Sequence, residues 1–371
     1  MRSASFPARI GALTVALAFG LGLALAVAPA TRAEAGVRFQ QRNLVSDGAH
    51  PAAHVDPNLV NAWGVAFNPF GFVWVADADG HVSTLYDGDG NLQSLVVQVP
   101  SPTTATGGSP TGIVFSGSNN FVVAQGALSG PSRFMFATEE GVIAGWAPNV
   151  DLTHAIRVID RSATGANYKG LALSADGTGQ RLYATDFYHA RVDVFDGNFQ
   201  PVTMSPNAFV DPHIPHGFAP FGIHAIGGNI YVTYAKQDAS MTDEVTGPGL
   251  GYVDVYAPDG KLIRRIASRG TLNAPWGVAL APAGFGSFGG ALLIGNFGDG
   301  RINAYEPVLG FSLGPLRNKA FQPIRIEGLW GLAFGNGLSN QPVNTLFFAA
   351  GPDDEEHGLY GRLDAIPDHI R

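Results

Sequence analysis

Six short apolar segments along the 371-residue chain each carry a glycine, and the residue in front of it changes from copy to copy: Trp63, Thr111, Lys169, Phe221, Trp276 and Trp330. Four aromatic rings and one ammonium at equivalent positions point to recognition chemistry. Rings stack on the apolar faces of sugars, aromatic compounds or peptides while polar edges bond at the rim. The single lysine among them offers a grip for a carboxylate. A second set, Asp77, Asp186 and Asn296 with Gln125 and Tyr234, ends the strand that follows in five copies and would surround the rings with polar groups. The competing reading of the rings is burial, since large aromatic side chains mostly serve packing.

The densest acidic run is Asp353-Asp354-Glu355-Glu356-His357. Hard oxygen donors suit Ca²⁺, and Asp353, Glu356 and His357 are the candidate ligands; the plain alternative is a solvated loop. Asp87-Gly88-Asp89-Gly90-Asn91 resembles a calcium loop, but Leu92 stands where an EF-hand needs glycine and Gln98 where it needs glutamate, so it reads as a hairpin turn. A G-x-S-x-G elbow, an H-E-x-x-H pair, a P-loop and a GxGxxG ahead of a helix are all missing, which disfavours serine-hydrolase and zincin chemistry. With no cysteine there is no thiol nucleophile, thiolate metal site or disulfide framework. His189, His213, His216, His224 and His357 fall in or near the candidate corners, and each has the chemistry of a general base.

The elements that must position these residues follow from the spacing. The six glycines, Gly64, Gly112, Gly170, Gly222, Gly277 and Gly331, lie 48, 58, 52, 55 and 54 residues apart. Each opens a near-continuous apolar strand followed by further short strands, and a repeat of that period marks a β-propeller. The expected fold is all-β, six blades of four strands. The last copy supplies only three strands, 331–334, 345–350 and 358–363, so Val37–Val45 is expected to close the ring as the outer strand of that blade, removing two free sheet edges. In an up-and-down blade the first strand begins where the second ends, so the residue before each glycine and the corner after each second strand share one mouth.

Residues 1–35 read as an export signal: Arg2 and Arg9 precede an apolar run over 10–27, and Ala33-Glu34-Ala35 makes a cleavage site. The alternative is a retained anchor, 18 apolar residues being at the lower edge of spanning length. Cleavage leaves 36–371 as a single propeller domain and takes the net charge from −8 to about −10. The mature protein is then expected to be periplasmic or extracellular and off the membrane. An acidic chain without a basic block has no footprint for nucleic acid.

Several segments resemble a family of exported bacterial six-bladed propellers with no assigned reaction, related in repeat style to NHL and gluconolactonase-like proteins. They are Asn43-Leu44-Val45-Ser46-Asp47, Asp56-Pro57-Asn58-Leu59-Val60-Asn61-Ala62-Trp63-Gly64, Tyr183-Ala184-Thr185-Asp186-Phe187, Leu272-Asn273-Ala274-Pro275-Trp276-Gly277, Gly295-Asn296-Phe297-Gly298-Asp299-Gly300 and Ala350-Gly351-Pro352 with His357-Gly358. The resemblance implies fold and export but transfers no catalytic residue, and fold alone does not give function. Gluconolactonase-like enzymes hold an axial divalent cation on Asn, Asp or Glu just before the first-strand glycine, whereas this chain has Trp63, Thr111, Lys169, Phe221, Trp276 and Trp330 there. Two classes therefore stand: a binding propeller for a small molecule, glycan or peptide, and a cation-dependent hydrolase or lyase. Convergence of three or more carboxylate, amide or imidazole groups on one point of the mouth would favour the enzyme.

Overall fold

The computed structural model describes residues 38–366; the export signal expected over 1–35 lies outside them. The described chain is a six-bladed β-propeller. The blades begin at the inner strands Ala62–Phe67, Pro110–Phe115, Tyr168–Ala175, Phe218–Ile226, Pro275–Leu280 and Leu329–Phe334 and run outward by antiparallel pairing. No helix among the described residues is long and apolar enough to cross a membrane.

The repeat signature has a physical cause in the inner strands. Each carries a register shift at the residue–glycine dipeptide, between Ala62 and Val65 in blade 1 and between Leu329 and Leu332 in blade 6, for example. A bulge re-aims one side chain, and here it turns the residue before the glycine over the ring axis. The glycine itself faces the next inner strand at close range. A Cβ on Gly222 would lie 2.1 Å from the Trp276 carbonyl oxygen, and one on Gly331 would lie 2.6 Å from that of Trp63, which returns blade 6 to blade 1. Glycine is required there by the approach of one backbone to another.

The ring closes as the sequence predicts. Arg38–Ser46 pairs antiparallel with Leu359–Ile366, with Arg38 opposite Ile366 and Ser46 opposite Leu359. Six apolar clusters fill the wedges between neighbouring blades, such as Tyr86, Phe347 and Tyr360 between blades 1 and 6, and a seventh lies on the axis.

Three blades depart from the four-strand expectation, blades 4 and 6 by a short fifth strand each, Glu244–Val245 and His54–Val55, and blade 3 by the loss of one. Blade 3 has three ladder strands, because after Phe195 the chain makes only an isolated bridge to Pro201, held by Asp196 N to Gln200 O and Val202 N to Val194 O (both 2.8 Å), before leaving. Blade 2 carries an inserted hairpin, Val122–Gln125 with Leu128–Pro131, between its first and second strands. Its second strand is therefore Phe134–Thr138, and Gln125 lies exposed in the hairpin at the opposite end from the expected mouth. A hairpin of alternating apolar residues reads like a blade strand until pairing partners are assigned.

Candidate functional site: a charged mouth over an aromatic plug

The bulges bring the residues before the six glycines together, and the assembly is a plug. Trp63 and Trp330 are fully buried and stack with centroids 3.9 Å apart; Phe297 stacks on Trp330 at 4.1 Å, and Trp276 meets it edge-on at 6.0 Å. Phe221 packs against Trp330 at 5.6 Å and Phe187 at 5.2 Å. The Trp276 indole donates to the Lys169 carbonyl (2.8 Å) and the Trp330 indole to Asn61 Oδ1 (3.2 Å). Thr111 is buried too, its hydroxyl donating to Tyr168 O of the next blade (2.7 Å). The rings close the channel and present no face to a ligand, because each bulge swings its side chain inward where neighbouring rings cover it.

The polar residues at the second-strand ends brace their own corners. The Thr84 hydroxyl donates to buried Asp77 (2.8 Å), and burial pushes the Asp77 carboxyl well above its ordinary value. Asp186 takes the imidazole Nδ1 of His189 at 2.7 Å and Arg191 at 3.4 Å, and Asn296 donates to Thr271 O (2.7 Å). The two Asp-Pro turns are anchors as well: Asp56 accepts from Asn58 N and Tyr86 hydroxyl, and Asp211 accepts from His213 N and pairs with Arg265.

Above the plug lies a layer that sequence reasoning reached only in part. Lys169 is 2 % exposed, and its ammonium sits 5.2 Å over the Trp63 ring. It pairs with Glu139 from the corner of blade 2 and with Asp243 (3.3 Å) from the long corner of blade 4. Glu244 and Glu355, from the corners of blades 4 and 6, complete the surround. Burial alone would lower the lysine's pKa, but Glu139, Glu244 and Asp243 outweigh it and hold the ammonium above its ordinary value.

The two glutamates carry the opposite strain. Burial pushes Glu244 up to about 8 against the pull of Lys169, with the Glu355 charge adding to the rise. Burial likewise pushes Glu355 up to about 7, opposed by Lys169 and by the Asn61 amide, which donates to its Oε2 (2.9 Å), and reinforced by Glu139 and Asp79. The floor of the mouth is thus one buried cation among four acids, two of them titrating near neutrality.

The candidate calcium ligands are not assembled as a ligand set. Asp353 faces His50 Nε2 at 2.9 Å and His357 Nδ1 faces Asp47 at 2.7 Å. Among the described residues no three His, Asp or Glu side chains come together to hold a metal ion. Asp353, Asp354 and Glu355 run through three consecutive left-handed conformations (φ 56°, 53° and 72°). Of this run it is Glu355 that reaches the mouth, a direction set by the turn.

No protein-family model matches the sequence. Uncharacterized protein R648 of Acanthamoeba polyphaga mimivirus is 36 % identical over 330 residues, spanning 86 % of this chain and 78 % of that protein. Uncharacterized protein L690 of the same virus is 34 % identical over 328 residues, spanning 86 % and 84 %. Among solved structures, a glucose dehydrogenase superposes with a TM-score of 0.51 at 12 % identity, over 88 % of this chain and 100 % of that one. A streptogramin B lyase gives 0.50 at 12 %, over 89 % and 98 %. A gluconolactonase of Xanthomonas campestris gives 0.50 at 14 %, over 83 % and 86 %. At these identities the likenesses show the propeller fold alone. By its sequence, the chain belongs to the family of the mimivirus proteins R648 and L690.

Proposed function

We propose that this is an exported ligand-binding propeller whose site is the charged mouth, and that the ligand is a small molecule carrying a positive charge or a set of hydroxyl groups. The carrying observation is the pairing of Lys169 with both Glu139 and Asp243. A lysine so neutralised no longer grips a carboxylate, and with Glu244, Glu355 and Asp79 close by the mouth has an acidic excess. Export rests on the leader pattern over 1–35. A thermal-shift comparison of 1,4-diaminobutane, methyl glucoside and gluconate on the protein tests the reading. Binding to the native state raises the melting temperature, so the diamine or the glycoside should raise it and gluconate should not, with Glu355→Gln weakening the shift. A shift with gluconate alone would overturn the proposal.

A second reading has its own observation. Two carboxyls with raised pKa beside a fixed cation are what general acid–base catalysis at neutral pH requires, and the fold is shared with proteins named as a lyase and a gluconolactonase. In this reading Glu355 and Glu244 move the proton beside the fixed charge of Lys169. It calls for turnover of a lactone panel with a pH profile set near 7 and 8, abolished in Glu244→Gln.

A further inference from the structure

At the end of the ring remote from the charged mouth, a cavity of about 910 Å³ opens between blades 1 and 2. Its walls are aromatic. Trp74 and Phe134 stack with centroids 4.0 Å apart, and Trp146 tilts against Trp74 at 4.7 Å. These are core rings of the wedge between the blades, and Phe115 and Phe70 extend them to the rim.

Phe70 is 82 % exposed, a large apolar ring held in water. The loop that holds it there is fastened from blade 6: Asn336 Nδ2 donates to Asn68 O and to Gly71 O (both 2.7 Å), and Gln341 Nε2 donates to Gly71 O (3.1 Å). Within the loop, Phe70 N donates to Asn68 Oδ1 (2.9 Å). A ring kept exposed by a hydrogen-bonded loop is preorganised to cover something else.

One cation lines the space. Arg133 is tied through Nη1 to Ser118 O (3.0 Å) and Ser116 O (3.4 Å), and its Nε and Nη2 have no partner among the described residues. A guanidinium fixed at one nitrogen with donors to spare is suited to a carboxylate. We propose that this cavity is a second binding site, separate from the mouth, for a small flat aromatic carboxylate whose ring lies against Phe70 and Phe115 at the rim, above the buried core rings, and whose carboxylate meets Arg133. The volume and the mainly apolar lining are those of small-molecule sites.

Titration of the protein with 2-naphthoate, followed by tryptophan fluorescence, tests this, with neutral 2-naphthalenemethanol as the control. Saturable one-site binding is expected, with the neutral analogue about tenfold or more weaker, the loss of a charge-assisted hydrogen bond. Arg133→Gln should bring 2-naphthoate down to the level of the neutral analogue, and Phe70→Ser, at an exposed position that leaves the core untouched, should weaken both compounds about fivefold. Absence of saturable binding to the wild-type protein, equal affinity for the two compounds, or either variant binding 2-naphthoate as the wild type does would overturn the proposal. So would a protein that self-associates with concentration, by sedimentation, and loses 2-naphthoate binding as it does so, because a second copy would then be the occupant.

Discussion

At the scale of single residues the molecule turns on Lys169, the one charged residue among the six that precede the repeat glycines. A buried cation is stable only when paired, and breaking such a pair by removing one partner costs about 3–5 kcal/mol because the other charges are left uncompensated. Lys169→Met should therefore lower the free energy of unfolding in urea by that amount, and adding Glu139→Gln should recover part of it. The raised glutamates set a pH dependence. A carboxyl whose folded pKa lies above its unfolded value favours folding while protonated, and that contribution is lost as pH rises through the folded pKa. With Glu355 at about 7 and Glu244 at about 8 against an ordinary 4.5, the melting temperature should fall as pH rises from about 4.5 to about 8 and level off above that. His357, held up by Asp47, adds to the fall in the same direction. The double variant Glu244→Gln/Glu355→Gln should flatten the profile; an unchanged slope would show that these carboxyls are not the cause.

At the scale of elements, the bulged inner strand is the unit that repeats. It sets a ring or a cation over the axis and brings two backbones close at the glycine. Because Trp330 is fully buried and touches Trp63, Trp276, Phe221 and Phe297, Trp330→Ala should cost about 3–5 kcal/mol, as large core aromatics do. Chemical denaturation checks this. A cost below about 1 kcal/mol would mean that the ring is not a packing element, since substitutions away from the core stay near that level.

At the scale of the whole molecule, stability comes from closing the ring, with six wedges each filled by two blades. The strand Arg38–Ser46 belongs to blade 6 in space and to the other end of the chain in sequence. A chain starting at Asp47 leaves blade 6 with an open edge and the wedge to blade 1 without Leu44 and Val45, so it should lose solubility and melt well below the longer chain. Arg38 and Ile366 stand opposite each other. A permutant that joins them by a short Gly-Asn turn and opens the chain at exposed Gly126, in the blade 2 hairpin, should keep the circular dichroism spectrum and nearly the same melting temperature. Failure of the permutant to fold would mean that the order of the blades in the chain matters as well as their closure.

The six glycines, their spacing and the three-strand last copy were enough to determine the propeller, its blade number and the closing strand, because a close approach of backbones admits glycine and an incomplete blade demands a partner. The hairpin in blade 2 and the missing outer strand of blade 3 were not legible, since strand partners are a matter of pairing and both segments have the local composition of the repeat. The site was legible by position and not by side chain. The residues before the glycines do converge, yet the sign of a bulge's turn decides whether a tryptophan faces solvent or a neighbouring ring, and here it faces the ring. Glu139, the adjacent pair Asp243-Glu244, and Glu355 lie in three places along the chain with no motif to link them. The one trace was a lone lysine in an otherwise uncharged ring, which required counter-charges from somewhere. Only the fold, by bringing the corners of blades 2, 4 and 6 to one axis, decided which acids those are, because a Coulombic partner is chosen by distance in space.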